Sequence, residues 1–459
     1  MAVVIPQPRI TGMKVLDVRG FKMLIIPTKT TTSAGQELIQ KLLNRFQEAD
    51  AGCRKGVTEI LAAVREKGDE ALLGYIRKFD APNFQISQLK VTQDEFDRAH
   101  TLVDSSFKET LSMAIERVQF FHEQELVKSW TMTRDDGVIT GRLVRPVAAA
   151  GLYVPGGQGG QTPLVSSVLM NGIPAGIAGV KKRVMVTPPN EKGEVHPALL
   201  VAASEIGIDE IYKVGSAWAI AALAYGTRSI PRVDVIVGPG NQYVAEAKQQ
   251  VTGIVGIDMI AGPSEVLIIA DHSARPSYIA ADMLAQAEHD PQALSMLVTT
   301  SREIGEQVVQ ELERQLQELN RHEIATKALK NRGVILVVED IEEAIGLAND
   351  IAAEHLELMI EKPDTWLNAI QHAGAIFLGD YSPEAAGDYL AGPNHVLPTM
   401  GTARFSSALG VETFLKKSSI ISYSRAALLE DGPHIMALAK LEGLSAHAKS
   451  VEIRLKDKG

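Results

Sequence analysis

Residues 183–214 read RVMVTPPNEKGEVHPALLVAASEIGIDEIYKV. Arg183–Thr187 is a short, β-branched run of the kind that forms a buried strand. Pro197–Glu205 is an Ala- and Leu-rich helix, and Glu210–Val214 is a second strand. Strand, helix and strand in succession predict a parallel pair joined by a right-handed crossover. Working outward, Gly151–Val154 and Val233–Val237 add two more strands. Helices at about 164–173 and 217–225 fall between them.

The alternation resumes after Asp258. Strands are expected at Val266–Ile269, Leu294–Thr299, Val334–Val338, Leu356–Ile360 and Ala375–Leu378. Helices are expected at about 276–288, 302–319 and 341–352. Toward the N-terminus, apolar residues at Leu38, Ile39, Leu42, Leu43 and Phe46, then at Val57, Ile60, Leu61 and Val64, recur at helical spacing. A further helix is expected over about 93–125. Beyond Val411 sheet signals fade, and 425–449 reads as one or two helices. The fold class is therefore α/β, with two Rossmann-like parallel-sheet domains and helical N-terminal and C-terminal extensions.

The 459 residues carry 46 basic and 56 acidic side chains, a formal charge of −10 with no basic patch. Nucleic-acid binding is not expected from that balance. No apolar run approaches the ~20 residues of a membrane helix. The first residues lack a signal-peptide pattern, and Met13 is an equally good start. A single cysteine, Cys53, excludes an internal disulfide framework and a thiolate-rich zinc site, and it suits a reducing cytoplasm. Any metal would be held by nitrogen and oxygen.

Six stretches can carry chemistry. Gly151-Leu-Tyr-Val-Pro-Gly-Gly157 and Val237-Gly-Pro-Gly-Asn241 are glycine-rich strand exits. They suit a close-approaching ligand or a plain turn, and neither fits G-x-G-x-x-G. Gln286 and His289 are one helical turn apart, a workable spacing for two metal ligands or for a solvated helix end. Glu354 and His355 place a carboxylate beside an imidazole, able to move protons or to cap a helix. The stretch 380–395, with Asp388 and His395, is a polar loop after an apolar strand. Glu442 and His447 lie near the C-terminus. The other seven of the eleven histidines, His122 among them, are taken as surface or structural.

The strings GLYVPGG, VGPGN, AGPSEVLIIAD, AQAEHD, AAEHLE, SPEAAGDYLAGPNHVLPT and LEGLSAHA, in this order, resemble the histidinol dehydrogenase family from about Met13 to the end. The resemblance implies one Zn2+ per subunit on Gln286, His289, Asp388 and His447, with Glu354 and His355 as proton acceptors. It implies substrate contacts from Ser264, His355, His395 and Glu442 besides the metal ligands, and dinucleotide contacts from Tyr153 and Asn241. The implied reaction is NAD-linked oxidation of L-histidinol to L-histidine through histidinal, in two hydride transfers. A cytoplasmic homodimer is implied, its C-terminal tail completing the partner's site.

On this basis the chain divides into an N-terminal extension (1–40), a catalytic α/β domain (41–150 plus 264–408), a dinucleotide-binding α/β domain (151–263) and a helical tail (409–459). Two departures stand out. Trp218 replaces a glutamine common in the family, and its indole N–H donates only. The stretch from Gly157 to Thr162 is longer than usual. The alternatives are a same-fold dehydrogenase for another small alcohol such as a sulfonated diol, a zinc hydrolase using Glu354, and a non-catalytic binding protein.

Overall fold

A computed structural model describes residues 24–45, 51–156 and 162–456. In chain order the strands are β1 (Thr28–Lys29), β2 (Trp130–Thr133), β3 (Ile139–Pro146), β4 (Ala149–Tyr153), β5 (Lys182–Thr187), β6 (Glu210–Lys213) and β7 (Val235–Val237). They continue with β8 (Gly256–Ile257), β9 (Glu265–Ala270), β10 (Leu294–Thr299), β11 (Val334–Val337), β12 (His355–Met359), β13 (Ala375–Leu378) and β14 (Leu415–Ser422).

Two of the three sheets are parallel. The smaller runs β6-β5-β4-β7-β8 and the larger β1-β11-β10-β9-β12-β13. Their central strands β4, β9, β10 and β12 are buried along their whole length, as expected when helices cover both faces. Separate apolar cores lie on the two faces of each sheet. The chain builds outward from β4 to β6, then returns to the other side at β7. The first crevice between strands of divergent connection is therefore at β4/β7, and the larger sheet has its own at β9/β12.

The α/β class and the parallel strands match expectation, with three corrections. The described part of 1–40 is no extension: β1 pairs with β11, and the helix Ser33–Leu43 buries Leu42 in a core of the larger sheet. The grouping of 41–150 with 264–408 also fails. Helices Ala51–Lys67 and Asp69–Phe79 bury Val57, Leu61, Leu72 and Ile76 against the smaller sheet, because that apolar stripe finds its complement in the Ala-rich helix Ser216–Tyr225. Gln93–Leu102 and Ser105–His122, two helices where one was expected, join the opposite face of the same sheet. Asp104 caps the second of them, accepting from Phe107 N at 2.6 Å.

The last correction concerns 409–459, which is not wholly helical. β14 runs antiparallel to β3, and β3 to β2, as a third sheet. Only then come helices Arg425–Leu441 and Ser445–Lys456, packed on each other. Among the described residues no helix is long and apolar enough to cross a membrane.

Candidate active site

Glu354 immediately precedes β12 and His355 opens it, at the amino edge of the larger sheet beside the start of β9. One residue of β9 holds both. Glu265 N–H donates to Glu354 Oε2 at 2.8 Å, and Glu265 C=O accepts from His355 Nδ1 at 3.0 Å. Because a carbonyl can only accept, Nδ1 carries the proton and Nε2 is left with its lone pair exposed to chemistry. Glu265 is itself immobilised: its carboxylate takes a bidentate pair from buried Arg45, at 2.6 and 2.8 Å, and a third bond from Met400 N. Arg45 also donates to Leu42 O and Ile351 O.

Burial dominates the electrostatics here. It pushes the Glu354 carboxyl up to about 8, against the smaller opposing pull of His355. Three further carboxylates gather behind it. Glu384 Oε1 lies 3.8 Å from His355 Nδ1, and Glu357 Oε1 accepts from Glu384 N at 3.1 Å. Burial raises both well above the ordinary range and takes neighbouring Asp282 up to about 6.

Gln286 closes the helix Pro276–Ala287, fully buried, with Nε2 at 3.3 Å from His289 Nδ1. Its Oε1 is buried with no partner, which is the open lone pair an N/O metal site requires. Asp388 contacts His395 (Oδ1 to Nδ1, 3.6 Å), and its charge is felt at His289, where burial nevertheless keeps the imidazole below its usual range. His395 Nδ1 donates to Asp388 O at 3.2 Å. Ser264 precedes Glu265 and is half-buried, its carbonyl bonded to Leu294 N.

His447 and Glu442 stand apart. Both are exposed on the tail, and no hydrogen bond or ion pair joins either to the other candidates among the described residues. Within one chain those residues include no trio of His, Cys, Asp or Glu set around a common point. The candidates gathered on the larger sheet therefore do not include Glu442 and His447 within one chain.

The dinucleotide candidates lie at the carboxyl edge of the smaller sheet. Tyr153 ends β4, buried, its hydroxyl accepting from Ser216 N at 3.2 Å. Across the crevice Gly238 has φ +116°, and a Cβ there would meet Tyr153 O at 2.1 Å, so only glycine fits. Lys248 Nζ pins this turn through Gly238 O and Asp258 Oδ1, each at 2.6 Å. Asn241 caps the helix Gln242–Val251 with its side-chain oxygen, which leaves its NH2 group for a ligand. Trp218 is buried and stacked on Tyr75 (5.3 Å) and Phe79 (5.5 Å), its Nε1 without a partner. Of the longer stretch, residues 157–161 lie outside the described residues.

The histidinol dehydrogenase family model matches residues 43–455. The chain belongs to the histidinol dehydrogenase family. It is 68% identical over 434 residues to the histidinol dehydrogenase of Desulfotalea psychrophila, 95% of this chain and the whole of that one. It is 52% identical to that of Carboxydothermus hydrogenoformans, covering 92% of this chain and 98% of the relative. The crystal structure of histidinol dehydrogenase from Elizabethkingia anophelis superposes with a TM-score of 0.88 at 38% identity, over 95% of this chain and 98% of that one. As a member of this family the protein is an oxidoreductase, not a hydrolase or a bare binding protein.

Several residues that hold these candidates in place escape sequence reading. Glu265 holds Glu354 and His355 through its backbone, which leaves no side-chain pattern. His122, set aside as surface or structural, is fully buried. It bonds Glu125 at 2.9 Å and lies 3.4 Å from Asn394 Nδ2, which donates to Met170 O at 2.7 Å beside His395. The His395 loop is thereby tied to the helix Val165–Ile177 of the smaller sheet. A histidine three residues from a glutamate, at the end of an expected helix, was the available signal.

Proposed function

We propose that the chain oxidises L-histidinol to L-histidine through histidinal, in two hydride transfers to NAD. The observation that carries this reading is the seating of Glu354 and His355 on one peptide of Glu265, with Nε2 of the imidazole ready to accept. When bound, zinc would fix the amino and imidazole nitrogens of the substrate and so orient its carbinol. Gln286, His289, Asp388 and His447 would hold it, the last from the partner subunit. NAD would supply the hydride acceptor at the β4/β7 crevice, contacted by Tyr153 and Asn241.

His355 Nε2 takes the hydroxyl proton as hydride leaves the carbinol carbon. Glu354, as carboxylate, takes a proton from the water that adds to the aldehyde. The hydrate then loses the second hydride. Ser264, His395 and Glu442 hold the substrate, Glu442 facing its cationic end. A closed site keeps the aldehyde from escaping. A reducing cytoplasm remains the compartment that lone Cys53 suits.

Sharing between subunits is supported by the place of Glu442 and His447 apart from the other candidates and by the apolar surface near the tail. Met132 (55% exposed), Ile421 (71%), Leu438 (63%) and Leu441 (85%) need a cover that a second copy would provide. Mixed subunits test it. Glu442→Ala and His355→Ala chains, each inactive alone, should on random pairing regain about a quarter of the wild-type sites. Confirmed heterodimers without activity would refute the sharing.

The reading as a whole is tested by NADH formation from histidinol before and after chelation. His289→Asn should lose zinc and turnover together, by at least about a hundredfold, and still bind NAD in a calorimeter. Full activity in the metal-free protein would overturn the zinc assignment. Turnover of a sulfonated diol in preference to histidinol would overturn the substrate.

A further inference from the structure

Among the described residues three that are not glycine have a positive φ: Ser216 (52°), Ala352 (51°) and Met400 (54°). Met400 carries the large side chain of the three, and it stands in left-handed backbone that glycine adopts far more readily. Strain of this kind persists where the surroundings over-determine it. At Met400 three contacts do so. Its N–H donates to Glu265 Oε2 at 3.2 Å. Its Cγ and Sδ fill the notch over Gly262, where a Cβ would stand 2.7 Å from Cγ and closer still to Sδ. The preceding residue, buried Thr399, accepts from Gly262 N through its Oγ1 at 2.6 Å.

The gripped residues are Gly262 and Glu265, and between them lie Pro263 and Ser264. Ser264 is thus spanned by the grip, while its carbonyl accepts from Leu294 N at 3.0 Å. The gripping residues have a firm base. Leu409 N donates to Val396 O at 2.9 Å, which closes 396–409 into a loop with a narrow neck. Beside that neck Asn394 Nδ2 donates to Met170 O at 2.7 Å, and Glu125 Oε2 accepts from Val411 N at 2.8 Å. His395 adjoins the neck, and Thr399 and Met400 follow a few residues later. One short stretch therefore carries His395 and sets its spacing from Ser264, two of the groups proposed above to hold the substrate.

Resting on the substrate reading above, we propose that Met400 is a positioning residue that sets the spacing between Ser264 and His395, and through it the affinity for the amino alcohol. Its side chain is a spacer over Gly262, and its left-handed backbone aims the N–H at Glu265. Without the spacer the turn from Gly262 to Ser264 is free to settle toward the loop. The peptide of Glu265 that seats Glu354 and His355 is held independently, by the pairing of β9 with β10 and by Arg45. Loss of the spacer therefore falls on substrate binding and spares the chemical step.

Met400→Gly tests this, because glycine accepts a φ of 54° without strain, keeps the N–H to Glu265 and removes the spacer. Its urea midpoint should be no lower than that of the wild type, and its zinc content and NAD affinity should be unchanged. KM for histidinol, and Kd for histidinol by calorimetry, should rise about tenfold while kcat stays within about threefold. Met400→Leu keeps the volume and should return KM to within about threefold of the wild type. An unchanged histidinol KM in Met400→Gly overturns the proposal, and so does a fall in kcat with KM unchanged. Equal weakening of histidinol and NAD with a lowered urea midpoint also overturns it, since Met400 would then merely support the fold. If the wild-type protein neither binds nor oxidises histidinol, the substrate reading itself falls and takes this assignment with it.

Discussion

Glu354→Gln is expected to stop the reaction at the aldehyde, one NADH per histidinol instead of two. The glutamine oxygen can still accept from Glu265 N–H, so the backbone seat at 2.8 Å survives and His355 keeps its own bond to Glu265 C=O. What disappears is a base for the adding water. Loss of one general base lowers a step by about a hundred- to ten-thousand-fold. Aldehyde should then be trapped by an added amine nucleophile, while the first hydride transfer slows far less. Two NADH per histidinol at an undiminished rate would remove Glu354 from the second half-reaction.

The same residue sets a pH dependence. Burial raises its carboxyl from the ordinary range to about 8. The carboxylate is the competent form, so the second half-reaction should rise with pH through a midpoint at about 8 and level off above it. Stability moves the other way. A raised carboxyl is protonated in the folded chain and ionised in the unfolded one between about 4.5 and 8, so folding weakens as pH rises through that window. Glu354→Gln should lose both slopes, one in rate profiles and one in urea midpoints.

The second large effect is expected from Arg45→Met. Arg45 and Glu265 are both buried, and the substitution leaves the Glu265 carboxylate without its bidentate partner. Removing one member of such a pair costs about 3–5 kcal/mol. Urea unfolding should show that loss, and the double variant Arg45→Met/Glu265→Leu should recover part of it. Activity should fall in both half-reactions together, since one peptide seats both Glu354 and His355. A variant as stable as wild type would mean that the pair contributes nothing net.

The parallel strands were legible because burial on both faces makes them uniformly apolar, as in Glu265–Ala270 after its first residue. β14 was not. Lys416, Lys417, Ser418 and Ser419 are exposed, so it lacks the alternation of a strand with one buried face. The helices of 51–122 showed a clear apolar stripe, yet a stripe does not name the sheet it will meet. At the site, Glu354–His355 and Gln286–His289 were visible as neighbours in sequence. Arg45 and Glu265, 220 residues apart, were not, and neither was the stack of Phe79 on Trp218, which exists only once two helices pack.

The larger sheet presents its proton-handling groups at the amino ends of its strands, and the smaller sheet offers its crevice at the carboxyl ends. The loop of Asn394 and His395 joins them, with Asn394 Nδ2 donating to Met170 O and lying 3.4 Å from His122 Nε2. Two inventories of side chains, one proposed for the alcohol and one for the nucleotide, are thus rooted in separate hydrophobic cores. Drift in either core leaves the other's geometry in place. A lineage on this scaffold can exchange its cofactor or its substrate one at a time, provided the joining loop is left alone.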